Sequence, residues 1–466
     1  MSVENTHFGA CRIEAMLKNC KSIYFIGIGG INMSSLAHIS HEMGYRTGGS
    51  DRTETELTRR LSERGISVSY SHDEKNVEGY DAVVYTVAIS GDNPEYVFAK
   101  KKGLPLISRA DYLGYIMTRY KRRVGVAGMH GKSTCTSMCA EILIECDSNP
   151  TVLSGAELPA MGGAYCVGES DNFVFEACEY MDSFLDFNPT VAVLLNIEMD
   201  HVDYFKSMEQ IRRSFAQYAS LVGKDGYAVY NADDAEVVSA LEGFEGERLS
   251  FGINQAAALR AVNITEDCGR YSFDILLYQK HFCHVDLRVS GYHNIYNALA
   301  ATGACVLCGI SAEDIARGLG GFCGACRRME YKGSVNGAHV YDDYGHHPTE
   351  ISATLRGAKG LAGNRLWCVY QPHTYSRTAA LLDGFLGAFE DCDRVIFADI
   401  YAAREKNTYG ISSELLASRL GEKGAYADSF ESAANMLSSE LRAGDVAVVM
   451  GAGDVYKVFD YLNFDE

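Results

Sequence analysis

The sequence has 466 residues, and at roughly 150 residues per domain this length predicts about three domains. Apolar residues make up 47% of the chain and charged residues 22%, a globular composition that argues against disorder or a fibre. The 42 Lys and Arg against 61 Asp and Glu give a net charge of −19, which argues against general binding to nucleic acid or to an anionic membrane.

The start of the chain and its cysteines predict a cytoplasmic protein. The first twenty residues lack a basic segment followed by an apolar one, so no signal peptide is expected. No apolar run approaches the roughly 18 residues of a membrane span. The fifteen cysteines are therefore expected to be free thiols in a reducing compartment.

Short apolar runs alternate with longer helical stretches along the whole chain, a pattern that is typical of an α/β fold with buried parallel strands. The predicted strands are 23–26, 82–85, 124–127, 173–175, 191–195, 366–370, 395–398 and 446–450. Ligands of such sheets bind beyond the carboxyl ends of the strands, so the residues that follow each run are the candidates for chemistry.

Two breaks divide this pattern. The basic stretch 119–123 precedes a new strand and a glycine-rich loop, and the Gly- and Cys-rich segment 318–328 precedes a strand-like run at 338–341. We therefore predict domains over residues 1–120, 121–325 and 326–466.

The first motif is a glycine-rich turn between a strand and a helix, at 23–34. Its glycines include Gly29 and Gly30, and Asp51 follows about twenty residues later. Such a turn lets the backbone approach a pyrophosphate at a helix N-terminus. A dinucleotide-dependent dehydrogenase would show the same features, and a purely structural turn is the other alternative.

The second motif is stronger, because a buried strand runs into Gly128-Met-His-Gly-Lys132-Ser133-Thr. Backbone N–H groups of such a loop cradle phosphates, the lysine reaches the terminal phosphates and the hydroxyl holds Mg²⁺. The strict P-loop spacing is not met, since its first glycine would fall on Val126. Phosphate binding is still the expected function of the loop.

Polar side chains also follow two further predicted strands. Glu176 and Glu179 come after 173–175, and Asp200 and His201 come after 191–195. Carboxylate and imidazole groups near a phosphate loop can hold the Mg²⁺ ions that bridge phosphates. The structural alternative is that Glu176 caps a helix and His201 lies on the surface.

The C-terminal third carries two His-rich strand ends, DDYGHHP at 342–348 and YQPHTYSR at 370–377. Together with Arg377 they could recognise a carboxylate through bidentate hydrogen bonds. A metal site is the alternative, although Mg²⁺ prefers oxygen ligands.

Two cysteine pairs are spaced like the ligands of a zinc ribbon. Cys305-x-x-Cys308 and Cys323-x-x-Cys326 are fourteen residues apart, close to the spacing of such sites. The first pair lies in an apolar stretch with helical periodicity, however, and buried free cysteines are common. Core and loop thiols are therefore the expectation, with zinc as the alternative.

Nine segments, in order along almost the whole chain, resemble the Mur ligases of peptidoglycan synthesis. They are GIGGINMSSLA, GMHGKST, FEACEYMDSFL, NIEMDHVDYF, GYHNIYNALAA, CRRME, DDYGHHPTEISATL, QPHTYSRT and DIYAAREK. The resemblance implies a Rossmann-like N-terminal domain for the UDP-sugar, a central P-loop ATPase domain with a mainly parallel sheet, and a Rossmann-like C-terminal domain.

The resemblance also implies an activity and its partners. ATP would activate the carboxylate of UDP-N-acetylmuramate as an acyl phosphate, and the amine of L-alanine would displace phosphate. Phosphoryl transfer of this kind is catalysed mainly by positioning and charge neutralisation. No nucleic acid or membrane partner is implied, and the chain is expected to be a monomer or a homodimer.

Carried over residue by residue, the resemblance assigns site residues. The ATP loop would be Gly128, Met129, His130, Gly131, Lys132, Ser133 and Thr134, with further nucleotide contacts from His293, Asn294, Asn297, Arg328 and Asp343. Ser133 and Glu176 would hold one Mg²⁺, or Mn²⁺ in its place, and His201 would hold a second ion near the acyl phosphate. The amino-acid pocket would comprise Tyr344, His346 and Arg377, and the UDP side Gly29, Gly30, Asp51 and His72. Catalysis would rest on Lys132, Glu176, His201, His346 and Arg377.

Some positions depart from the family pattern. Thr374 stands where other members have Arg, so the amino-acid pocket has one fewer guanidinium.

The nearest rival function is a sister ligase that attaches a peptide to the same nucleotide sugar. A nicotinamide-dependent oxidoreductase has no use for the Lys132–Ser133 loop, and a silent nucleotide-binding partner would not need Glu176, His201 and Arg377.

Overall fold

A computed structural model describes residues 3–202, 204–403 and 405–465, and it contains three β-sheets. Each sheet is formed by one consecutive part of the chain and is flanked by helices, so the predicted three-domain α/β fold is confirmed. Asp203 and Arg404, which belong to two of the segments quoted above, lie outside the described residues.

The N-terminal sheet has five parallel strands in the order β3-β2-β1-β4-β5. Its strands are β1 Ser22–Ile26, β2 Arg46–Ser50, β3 Ser67–Ser69, β4 Ala82–Tyr85 and β5 Leu106–Ser108. Its helices are α1 Ala10–Leu17, α2 Ile31–Glu42, α3 Glu56–Glu63, α4 Pro94–Lys102 and α5 Arg109–Met117. The first glycine-rich turn therefore joins the central strand β1 to α2, where a helix N-terminus faces the carboxyl edge of the sheet.

The central sheet has ten strands in the order β15-β14-β13-β12-β11-β10-β6-β9-β7-β8. They are β6 Arg122–Ala127, β7 Thr151–Leu158, β8 Gly163–Cys166, β9 Asn172–Glu176, β10 Val191–Leu194, β11 Tyr227–Asn231, β12 Glu247–Gly252, β13 Leu259–Asp267, β14 Arg270–Leu277 and β15 Lys280–Ser290. The helices are α6 Lys132–Glu145, α7 Met208–Ser220, α8 Ala235–Ala240, α9 His293–Leu307 and α10 Ala312–Gly321. Strand β6 lies between β9 and β10 and is parallel to both, so three polar loops meet at one edge.

The C-terminal sheet has six strands in the order β16-β17-β21-β18-β19-β20, and only β16 is antiparallel to its neighbour. The strands are β16 Glu330–Val335, β17 Ala338–Asp343, β18 Leu366–Tyr370, β19 Arg394–Phe397, β20 Gly424–Tyr426 and β21 Val446–Met450. The helices are α11 Pro348–Lys359, α12 Tyr375–Ala380, α13 Leu382–Ala388, α14 Ser413–Arg419 and α15 Phe430–Glu440.

Short 3₁₀ helices complete the described structure, at Glu74–Val77, Pro159–Met161, Tyr180–Asp186, Gly421–Lys423 and Val455–Tyr461. Each of the eight strands predicted from apolar runs is present within a residue or two of its expected ends. The antiparallel strands β13–β15 were not predicted, because their side chains alternate between buried and exposed positions instead of forming one apolar run.

The cysteines carry no disulfide, and Cys305 of α9 and Cys308, which caps that helix, are buried in the same core as residues of α6. Among the residues that the structure describes, none of the helices is both long enough and apolar enough to cross a bilayer.

Candidate active site

The phosphate loop runs from the end of β6 to the start of α6 and depends on two glycines. Gly128 has φ of +154° and Gly131 has φ of +80°, both in the region that disfavours side chains. A Cβ on Gly131 would lie 2.6 Å from Oδ1 of Asn297. Helix α6 begins without a side-chain cap, so its first N–H groups remain available to an anion.

Asn196 holds the loop in place from the neighbouring strand end. Its Oδ1 accepts a hydrogen bond from the backbone N–H of His130 at 2.8 Å, and its Nδ2 donates to the carbonyl of His130 at 3.0 Å. The N–H of Met129 also donates to the carbonyl of Asn196 at 3.3 Å. Sequence reasoning assigned no role to Asn196, although its position directly after a buried strand was the available signal.

Lys132 is paired with Glu179, which the sequence suggested only as one of the carboxylates that could hold Mg²⁺. Its Nζ lies 3.1 Å from Oε1 and 3.0 Å from Oε2 of Glu179, and it also donates to the carbonyl of Gly128 at 2.5 Å. Burial alone would lower the pKa of Lys132, but Glu179, Cys178 and Glu176 together outweigh burial and hold that pKa above its usual value. The lysine is thus charged and fixed at the loop.

His201 also contacts the carboxylate of Glu179. Its Nε2 lies 3.0 Å from Oε1 of Glu179, and its ring packs 5.0 Å from that of Tyr180. Glu179 is fully buried. Burial alone would raise its pKa, yet Lys132 and His201 together hold the pKa of Glu179 below its usual value.

Oxygen donors suited to Mg²⁺ lie together at the start of α6. The hydroxyl of Ser133 donates to Oε2 of Glu176 at 2.7 Å, and the N–H of Gly155 donates to the same oxygen at 2.9 Å. A side chain at position 155 would collide with Glu176. A hydroxyl and a carboxylate beside a phosphate loop are the ligand types that Mg²⁺ prefers, so these two residues fit the expected ion. Thr134 follows Ser133 in the first turn of α6.

The start of α9 lies against the phosphate loop. Asn297 is buried and contacts Gly131, and its Nδ2 donates to Oδ1 of Asn294 at 3.0 Å. His293, the first residue of the helix, is exposed to solvent. Of the nucleotide contacts predicted on this helix, the structure places Asn297 at the loop and Asn294 beside Asn297.

Arg328, Asp343 and Tyr344 lie together in the C-terminal domain. The Arg328 guanidinium lies 5.3 Å from the Tyr344 ring centroid. Both carboxylate oxygens of Asp343 accept backbone N–H groups, Oδ2 from Met329 at 2.9 Å and Oδ1 from Gly345 at 2.8 Å. In this conformation Asp343 shapes the loop that carries Tyr344 and His346.

Arg377 crosses from the C-terminal domain to the central one. Its Nε donates to Oδ1 of Asp200 at 3.0 Å and its Nη1 lies 3.1 Å from Nδ1 of His373, and both Arg377 and Asp200 are buried. Burial alone would raise the pKa of Asp200, but Arg377, His201 and His347 together outweigh burial and hold that pKa well below the usual range. Burial lowers the pKa of His346 to about 4, and its ring lies 5.8 Å from that of His373.

A second set of contacts between these two domains surrounds His130 of the phosphate loop. One ring nitrogen of His130 touches Glu198, and the other lies 3.2 Å from Oε1 of Glu350. The hydroxyl of Thr349 donates to Oε2 of Glu198 at 2.8 Å. Burial lowers the pKa of His130, but Glu350 and Glu198 outweigh it and raise that pKa to about 9.

The residues predicted for the UDP side lie at the carboxyl edge of the N-terminal sheet. The N–H of Gly29 donates to Oδ2 of Asp51 at 2.9 Å, and Gly30 begins α2 as its N-cap. Nδ1 of His72 lies 2.8 Å from Oε2 of Glu95, a fully buried carboxylate that the sequence analysis did not identify. Asp51 therefore shapes the glycine turn, and Glu95 holds His72 at the sheet edge.

Family models match three consecutive parts of the chain. They are described as the Mur ligase family catalytic domain at residues 22–121, the Mur ligase middle domain at 126–305, and the Mur ligase glutamate ligase domain at 327–453. Together they cover most of the sequence.

Individual relatives extend this similarity over nearly the full length. Proteins named UDP-N-acetylmuramate–L-alanine ligase are 44% identical in Caldicellulosiruptor saccharolyticus, over 94% of this chain and 97% of the relative, and 45% identical in Caldanaerobacter subterraneus, over 96% and 98%. The crystal structure of a UDP-N-acetylmuramate–alanine ligase from Thermotoga maritima is 26% identical, covers 94% of this chain and 98% of its own, and superimposes with a TM-score of 0.78. A murein peptide ligase from Psychrobacter arcticus is 23% identical over 95% and 98%, with a TM-score of 0.70, and shares the fold.

Proposed function

The chain belongs to the Mur ligase family, and we propose that it joins L-alanine to the carboxylate of UDP-N-acetylmuramate, converting ATP to ADP and phosphate in peptidoglycan synthesis. The observation that carries this proposal is the 44–45% identity, over nearly the whole chain, to proteins named for that activity. The contacts of Lys132 with Glu179 and of Ser133 with Glu176 at the phosphate loop support the proposal.

ATP binding is assigned to Gly128–Thr134, with Lys132 neutralising the charge of the transferring phosphoryl group. Ser133 and Glu176 would hold one Mg²⁺, and His201 would hold a second ion near the acyl phosphate. When bound, the ions neutralise phosphate charge and orient the nucleotide. Asn297 against Gly131, with His293 and Asn294 on the same helix, would form the nucleotide side, and Arg328 and Asp343 would add contacts from the C-terminal domain.

The carboxylate of UDP-N-acetylmuramate is the first nucleophile. One carboxylate oxygen attacks the γ-phosphorus, the bond from phosphorus to the bridging oxygen breaks, and ADP leaves. Lys132 lies at the loop that holds the transferring group, and the Glu179 carboxylate fixes both Lys132 and His201. Such fixed charges stabilise a phosphoryl transition state without reorganisation.

The amino-acid pocket is assigned to Tyr344, His346 and Arg377. Asp200 and His373 occupy two nitrogens of Arg377 and so orient the remaining one toward the carboxylate of alanine. His346, with its lowered pKa, is neutral and is suited to accept a hydrogen bond that positions the alanine amine, and the proton that the amine loses passes to solvent. The amine then attacks the acyl phosphate, and the tetrahedral intermediate expels phosphate.

We assign the binding of each substrate to one or more of the three domains. We assign the UDP-sugar to residues 1–120, with Gly29, Gly30, Asp51 and His72 at the sheet edge, ATP to residues 121–325, and the amino acid and part of the nucleotide to residues 326–466. The cytoplasm is the proposed location, since fifteen unpaired cysteines suit a reducing compartment. We propose a monomer or a homodimer, which sedimentation equilibrium would distinguish.

Phosphate release tests the function directly. Purified protein with Mg-ATP and UDP-N-acetylmuramate should release phosphate when L-alanine is added, and should do so less efficiently with L-serine or glycine. Release with a tripeptide but not with L-alanine would assign the chain to the sister peptide ligases instead.

A further inference from the structure

Three side chains from three loops meet where the central and C-terminal domains touch. They are His130 in the phosphate loop after β6, Glu198 after β10 and His347 after β17. One ring nitrogen of each histidine and one carboxylate oxygen of Glu198 lie within 4.8 Å of one another. We propose that these three residues bind a Zn²⁺ ion that bridges the two domains.

The chemistry of the three ligands separates this site from the expected Mg²⁺ site at Ser133 and Glu176. Two imidazoles and one carboxylate form a set that Zn²⁺ uses with a fourth, open position. Mg²⁺ instead prefers oxygen ligands in octahedral geometry. The two sites therefore select different ions, although both adjoin the phosphate loop.

Neighbouring residues orient two of the ligands in the way that metal sites require. Oε1 of Glu350 lies 3.2 Å from Nδ1 of His130, while Nε2 of the same ring faces Glu198. The hydroxyl of Thr349 binds Oε2 of Glu198, which leaves Oε1 directed at the histidines. A carboxylate behind a histidine fixes its tautomer and ring orientation and raises its basicity as a ligand.

One ring nitrogen of His347 is left unpaired without an ion. Within residues 3–202, 204–403 and 405–465, Nε2 of His347 has no hydrogen-bond partner, whereas Nε2 of His130 faces Glu198 and its Nδ1 faces Glu350. Nδ1 of His347 lies 3.7 Å from Oε1 of Glu198 and accepts the N–H of Thr349 at 3.3 Å, near the long limit for a hydrogen bond. His347 is 94% buried, so water is largely excluded from its ring, and such unmet groups are costly.

A bound ion would join the phosphate loop to the C-terminal domain. Two ligands belong to the central domain and the third, His347, is the N-cap residue of α11. The ion would therefore stabilise the observed contact between the two domains, independently of whether the proposed function is right.

Binding of Zn²⁺ to metal-free protein tests the proposal without any substrate. Equilibrium dialysis should show a site that is lost or weakened by about tenfold or more in His347→Asn and in Glu198→Gln. Asn can still cap α11, so the first variant should fold. Zn²⁺ should raise the midpoint of thermal unfolding of the wild type more than that of either variant.

His284→Ala is the matched control. His284 is an exposed histidine, 2.8 Å from Asp274 and 3.3 Å from Asp286, and its loss should leave the bridging site unchanged. Co²⁺ in place of Zn²⁺ should give the visible absorption of a nitrogen-ligated site in the wild type and the control only. Equal Zn²⁺ affinity in wild type, His347→Asn and Glu198→Gln would overturn the proposal.

Discussion

Replacing Glu179 by Gln tests the claim that one buried carboxylate organises Lys132 and His201. The change keeps the shape of the side chain but removes the charge that lies 3.0 Å from Nζ of Lys132 and 3.0 Å from Nε2 of His201. Removing one partner of a buried ion pair costs about 3–5 kcal/mol, because the other charge is left uncompensated. The nucleotide-free variant should therefore unfold at a lower temperature than the wild type.

Bound nucleotide should restore part of the thermal stability that Glu179→Gln loses. The phosphates of Mg-ADP offer Lys132 a new counter-charge, so they should raise the unfolding midpoint more in Glu179→Gln than in the wild type. Differential scanning calorimetry with and without Mg-ADP measures both effects. The turnover number should fall as well, since His201 loses the partner that orients it.

Glu209→Gln is the control for this experiment. It makes the same substitution in an exposed ion pair with Arg213, and exposed pairs contribute about 0–1 kcal/mol. If Glu179→Gln behaved like Glu209→Gln in stability, nucleotide response and turnover, the role assigned to Glu179 would be wrong.

Three further predictions follow from the other contacts of the site. Asp200→Asn should raise the KM for L-alanine by about tenfold or more, since hydrogen bonds to charged groups are worth about 1.5–3 kcal/mol. Steady-state kinetics should show an unchanged KM for ATP, which would distinguish a defect in the amino-acid pocket from a general loss of structure. Gly131→Ala should abolish Mg-ADP binding in calorimetry because of its φ of +80° and the 2.6 Å approach to Asn297, and wild-type affinity would refute the loop geometry. The pKa of His130 rises from 6.5 to about 9 on folding, which contributes about 3 kcal/mol to the free energy of unfolding. This contribution is complete below pH 6.5 and is lost as the pH rises through 9. In metal-free protein the unfolding midpoint should fall over this range, and His130→Gln should remove that part of the decline; equal slopes for the two proteins would contradict the assignment.

Much of the fold could be predicted from the sequence because buried parallel strands are continuous apolar runs. Strands β6, β9 and β10 were located in this way, and so were the polar residues that follow them. The antiparallel strands β13–β15 were missed, since half of their side chains face solvent and no apolar run marks them.

The phosphate loop could also be predicted, but its partners could not. The pairing of Glu179 with Lys132 joins residues 47 positions apart, and that of Asp200 with Arg377 joins two domains across 177 positions. Such contacts depend on how loops from separate strands approach each other, which no local pattern records. Glu95 and Glu198 were missed for the same reason.

The most direct test of the account follows the oxygen atoms of the sugar carboxylate. UDP-N-acetylmuramate labelled with heavy oxygen at both carboxylate positions is incubated with Mg-ATP, L-alanine and the protein, and the products are analysed by mass spectrometry. If the carboxylate is activated as an acyl phosphate, each released phosphate carries one labelled oxygen and the amide product with alanine keeps the other. Unlabelled phosphate, or phosphate release without an alanine amide, would contradict the account.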